Sequence, residues 1–222
     1  MTFCILTLGG WAAHAQTVIT VGSTMAVPGT TLDLACTDLL VQGTLIVGSA
    51  QINQSATLGI ASGGQLDAGQ GTINVGGNWN NSGNFAAGSS TVVMSDVCGN
   101  AEAQLTGNTT FYNLTLISSA GKKFKFPAGT SITVTGTLKL QGGPGNPIQL
   151  LSPSGQDINI NLAPGAQLMN SDAQIGPGIN ITSSVAAVTA IPTLSEYALI
   201  LLAFIMAGTA IVLMPQSARP KR

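Results

Sequence analysis

Gly43-Thr44-Leu45-Ile46-Val47 is the stretch on which the fold turns. A glycine opens it, and the next four residues are β-branched or apolar, which suits a short strand of period two. The unit returns along the chain as Ala56-Thr57-Leu58-Gly59-Ile60, Gly71-Thr72-Ile73-Asn74-Val75 and Ser90-Thr91-Val92-Val93-Met94. Later copies are Gly129-Thr130-Ser131-Ile132-Thr133-Val134, Gly136-Thr137-Leu138-Lys139-Leu140 and Asp157-Ile158-Asn159-Ile160-Asn161-Leu162. Turn residues separate them at intervals of roughly 7 to 20 residues, and no amphipathic helix pattern lies between them. Strands this short cannot bury a face alone, so they must stack on copies of themselves. The expected fold is therefore all-β: a parallel β-helix or solenoid over residues 16–182, with an antiparallel β-sandwich as the alternative.

Local readings follow from the same pattern. In Gly107-Asn108-Thr109-Thr110-Phe111-Tyr112-Asn113-Leu114-Thr115-Leu116, residues Phe111, Leu114 and Leu116 are expected inside. Asn108, Asn113 and Thr115 are then left for turns or the outer face. Lys123-Phe124-Lys125-Phe126 should place two Lys in water and two Phe in the core. Residues 16–42 read as a lead-in to the repeats. Residues 76–84 read as a long turn around Trp79, a residue that either caps the core or stacks on a sugar. The loop 142–147 has no phosphate-cradle spacing and reads as a turn.

Composition narrows the function. Of 222 residues only 7% are charged, while Gly numbers 28 and aromatics are 5%. Arg219, Lys221 and Arg222 sit at the far C-terminus, so residues 16–190 hold four Lys against seven acids and no Arg. A nucleic-acid reader needs a basic face, and that class is excluded. The single histidine, His14, lies in a leader-like segment. Triads built on His and His-ligated zinc are thus excluded from the rest of the chain. The acids Asp33, Asp38, Asp67, Asp96, Asp157 and Asp172 are scattered among turn residues and form no evident pair for glycoside hydrolysis. No catalytic, cofactor or metal residues are expected, and the chain reads as a non-enzyme.

The N-terminus resembles a secretory signal over residues 1–15. Phe3 to Ala13 is apolar, and Ala13-His14-Ala15 is a small-x-small cleavage site. Met1-Thr2 brings no positive charge, so a start upstream of Met1 is expected; the alternative is an uncleaved strand. Export leaves Cys36 and Cys98 in an oxidising compartment as a candidate disulfide, against the alternative of two separate buried thiols.

The C-terminal side has three parts after a linker at 183–190. Ile191-Pro192-Thr193-Leu194-Ser195-Glu196-Tyr197 is a polar lead-in with a helix-start signature. Residues 197–214 are uncharged and, as a helix, would span roughly 27 Å, enough for a bilayer core. Their nine Leu, Ile, Val and Phe residues favour insertion by about 3 to 5 kcal/mol. Residues 215–222 end in Arg219, Lys221 and Arg222, which would hold that end on the cytoplasmic side. The alternative, a buried helix of a soluble domain, would show a polar stripe that this run lacks.

On these residues the segment 191–222 resembles the IPTL-CTERM protein-sorting domain of Gram-negative surface proteins. It departs from that family's usual pattern at Tyr197, where Trp is common, and in the prolines Pro215 and Pro220 of the tail. The resemblance implies an exported chain anchored in the inner membrane, with residues 16–190 outside the cytoplasm, handled by an exosortase-like transpeptidase. Delivery to the cell surface or matrix would follow. The implied role is structural or adhesive; the alternative is a surface module that binds or acts on a carbohydrate. The repeats themselves resemble the β-helical repeats of many bacterial surface proteins.

Overall fold

The computed structural model describes residues 16–27 and 29–183. The leader 1–15, the linker beyond Ser183, the sorting motif 191–197, the apolar run 197–214 and the basic tail lie outside the described residues. Within them the protein is a parallel β-solenoid of about eight turns with no helix. The antiparallel alternative does not hold, since every strand pairing is parallel.

Three columns of stacked strands make the coil. One holds β1 (Gln16–Ile19), the later part of β3 (Thr31–Val41), the later part of β5 (Gln51–Ile60), β8 (Trp79–Asn81) and β11 (Glu102–Phe111). It continues through β13 (Lys123–Lys125), β16 (Ile148–Leu151) and β19 (Ala173–Ile175). A second holds β2 (Thr24–Ala26), β4 (Thr44–Ile46), β6 (Gln65–Asp67) and β9 (Asn84–Ala86). The end of β11 takes it up again, followed by β14 (Ser131–Val134), β17 (Ile158–Leu162) and β20 (Ile179–Ser183). The third runs from the starts of β3 and β5 through β7 (Thr72–Val75), β10 (Thr91–Met94), β12 (Asn113–Ile117), β15 (Thr137–Gln141) and β18 (Gln167–Ser171).

Alternation becomes a core because registers are kept from coil to coil. Leu32, Ile52, Ile73, Val92, Leu114, Leu138 and Leu168 are successive Cα partners in one ladder of the third column. The five from Ile52 to Leu138 are buried. Leu39, Leu58, Trp79 and Leu105 make a matching ladder in the first column. A strand that buries one face of its pleat here does so against its own repeats, which is why five residues suffice. At the last turn two of the ladders end in polar residues: Leu140 is followed by Asn170, and Leu162 by Ser183.

Glycine opens many units for a steric reason. A Cβ on Gly43 would lie 2.2 Å from the carbonyl oxygen of Thr20 in the coil beneath. Only glycine lets the chain turn that corner so close to its neighbour. Gly107 adds a positive φ of 86°, and a Cβ there would meet Asn81 O at 1.8 Å. It bends β11 from the first column into the second.

Two sequence expectations need correction. Residues 16–42 are no lead-in: β1, β2 and the start of β3 already form a first coil in register with the next. Residues 76–84 are no long turn, because β8 occupies Trp79–Asn81 and pairs with both β5 and β11. The Asn- and Gly-rich composition hid a strand whose inward residues are Trp79 and Asn81.

Candidate functional site

Trp79 is the first side chain to place, because the sugar-binding reading depended on its exposure. It is fully buried. Its ring meets Phe85 edge-on at 5.0 Å and Phe111 at 5.2 Å, and its indole N–H donates to Thr109 Oγ1 at 3.2 Å. Asn81 Nδ2 donates to the same hydroxyl at 3.1 Å and to Asn108 O, while Asn81 Oδ1 accepts from Gly83 N–H. Trp79 is therefore a core residue whose polar atom is satisfied internally, and it offers no stacking platform.

The paired lysines are in water as the alternation requires, with Phe124 and Phe126 buried. Neither lysine is a free cation for an anionic ligand. Lys125 Nζ bonds Glu102 Oε2, and Lys123 Nζ lies 3.7 Å from Glu102 Oε1. The hydrogen bond from Lys125, helped by the field of both lysines and opposed by desolvation, holds the Glu102 carboxyl below its ordinary value of 4.5. A group tuned that way stays ionised and is a poor general acid.

Most acids in the repeats serve backbone groups. Asp33 accepts from Ala35 N–H, Asp38 from Thr57 N–H and Asp67 from Gly69 N–H. Asp96 Oδ2 accepts from Ser119 N–H at 2.8 Å and from Ala120 N–H. Asp38 and Glu102 line one open groove of about 310 Å³ with Thr57, Asn78 and Asn100. Asp38 is held by Thr57 there and Glu102 by the lysines. Among the described residues no group of three His, Cys, Asp or Glu is arranged to hold a metal.

Cys36 and Cys98 are brought together with Cα atoms 5.6 Å apart and their sulfurs bonded. The bond crosses 62 residues of sequence and sits where β3 and β5 slip register. Ala35, Cys36 and Gln54 take positive φ at that corner. The loop 95–101 that carries Cys98 also covers Lys122, which sequence reasoning overlooked. Lys122 is 1% exposed, and its Nζ donates to Gly76 O and to Ser95 O. Burial pushes its pKa below the usual lysine value, against the opposing field of Asp96. A lone Lys122 beside Lys123 reads as a surface pair in sequence; only the closing of loop 95–101 over it shows otherwise.

No curated protein and no solved structure matches the chain. The family model described as the IPTL-CTERM motif matches residues 189–216. That match takes in the sorting motif Ile191 to Tyr197 and the whole apolar run to Met214, and stops short of the basic residues from Arg219 onward. The chain thus carries, C-terminal to its β-solenoid in sequence, an IPTL-CTERM motif, a C-terminal sorting signal.

Proposed function

We propose that this protein is an exported display module: a solenoid carried to the cell surface or matrix by its IPTL-CTERM segment, acting by presenting a stable face and performing no catalysis. The observation that carries the reading is the motif match at residues 189–216. In the proposed topology, residues 197–214 cross the inner membrane and Arg219, Lys221 and Arg222 stay on its cytoplasmic side. An exosortase-like transpeptidase would cut near Ile191–Tyr197 and pass the solenoid to an acceptor. The build of the solenoid supports a structural role. Asp33, Asp38, Asp67, Asp96 and Glu102 are spent on backbone N–H groups or on lysines, and its aromatic cluster is inside.

Mass spectrometry of the mature protein tests the reading. We expect a C-terminus upstream of Tyr197 in a strain with the transpeptidase, and retention of the chain to Arg222 in a strain lacking it. A surface-located protein still ending at Arg222 in both strains would refute sorting by cleavage.

A further inference from the structure

Lys122 is the one charged side chain buried among the described residues. A buried lysine that needed only to be neutral, or only to bridge coils, would be better replaced by an apolar residue. Its surroundings point to chemistry. Lys122, Asn100 and Asp96 line one cavity of about 130 Å³, closed by Gly99, Ala101 and Ala120. Lys122 Nζ and Asn100 Nδ2 both donate to the same oxygen, Gly76 O, the latter at 3.4 Å. The amine and the carboxamide are therefore held side by side by one acceptor. Nζ gives its second hydrogen to Ser95 O at 2.9 Å. A neutral amine has two N–H groups and one lone pair. With both N–H groups committed to carbonyls, the lone pair is left uncommitted.

We propose that Lys122 and Asn100 join in an intramolecular amide cross-link, with Asp96 as the proton carrier. Nζ adds to Cγ of Asn100, forming the Nζ–Cγ bond. The Cγ–Nδ2 bond then breaks. Asp96 takes one proton from Nζ and delivers it to Nδ2, so nitrogen leaves as ammonia and the carboxylate is restored. Amine and primary amide become secondary amide and ammonia, with no oxidant or co-reactant. Burial favours the neutral amine that this attack needs, and Asn100 is exposed enough for ammonia to escape. The product removes a titratable amine from the interior and ties residue 100 to residue 122 across one coil, two residues from the Cys98 bridge. It forms whether or not the C-terminal segment is cleaved, so its failure leaves the sorting reading untouched.

Intact mass of the exported, folded chain is the test. After the disulfide is counted, the expected mass is about 17 Da below that of the sequence, the loss of one ammonia. Digestion should yield a branched peptide that joins Asn100 to Lys122. Asn100→Ala and Asp96→Asn should each restore the full mass; the latter keeps an oxygen for the Ser119 and Ala120 N–H groups. An unshifted wild-type mass overturns the proposal even if the variants fail to fold. So does a loss of about 18 Da mapped to Asp96, which would mean water had left instead.

Discussion

Replacing Trp79 separates a structural aromatic from a binding one. The indole is fully buried, packs on Phe85 and Phe111, and donates to Thr109. Trp79→Ala removes a whole buried aromatic side chain, a change that costs about 3 to 5 kcal/mol when the surroundings cannot collapse. Collapse is resisted here because Leu58 and Leu105, its partners above and below, are pinned in register. Trp79→Phe keeps a ring against Phe85 and Phe111 but loses volume and the bond to Thr109, whose hydroxyl still accepts from Asn81. That variant should cost about 1 to 2 kcal/mol. For a domain of this size the Ala variant should melt about 10 °C lower. Urea unfolding followed by circular dichroism on the exported chain measures both, and in a stacked fold the weakened coils around residue 79 should open first. A loss below about 1 kcal/mol for Ala, or equal losses for Ala and Phe, would refute the core assignment. Loss of glycan binding without loss of stability would return Trp79 to the surface.

Other outcomes follow from features already described. Reducing the Cys36–Cys98 bond, which closes a 62-residue separation, should lower stability by about 4 kcal/mol on the chain-entropy account; an unchanged melting point in reductant would count against a bridged native state. Leu202→Asp in the apolar run should cost about 3 kcal/mol of insertion energy. Fractionation should then show the uncleaved chain leaving the membrane, and unchanged retention would sink the spanning assignment. Glu102 gives an acid-limb test. Its folded carboxyl lies below 4.5, chiefly through Lys125, so its contribution is present above that value and fades as pH falls through the lower folded one. Glu102→Gln should flatten stability against pH only on that acid side. At neutral pH it should change little, because the pair is exposed.

The solenoid was legible because its rule is local. Leu45, Ile73, Val92, Leu114 and Leu138 announce themselves by alternation, and all five are buried. The inward and outward residues of 107–116 and 123–126 were legible for the same reason. What stayed hidden depends on which coil lies beside which. Strand Trp79–Asn81 looks like a turn until its neighbours Leu58–Ile60 and Leu105–Gly107 supply the pairing. Of the last turns the unit 157–162 is legible, while strands Gln167–Ser171, Ala173–Ile175 and Ile179–Ser183 carry no such unit, because Asn, Gln and Ser replace apolar rungs there. Lys122 could not be read as buried, since residues 76 and 95–101 that enclose it are distant in sequence. At the C-terminal side the reverse holds: the motif from Ile191 to Tyr197 is recognised by order alone and needs no tertiary context.

Beyond the slip at the Cys36 corner, register kept from coil to coil has an evolutionary consequence. Each coil adds one strand spacing of about 4.8 Å to the stack, and its strands pair only with the coils on either side. Outside the span tied by Cys36–Cys98 and Lys122, a duplication or deletion of one coil-length of sequence would lengthen or shorten the protein by that single step, leaving every other rung and the C-terminal motif as they were. Length is therefore a trait selection can adjust in whole increments, without redesigning the core or the address at its end.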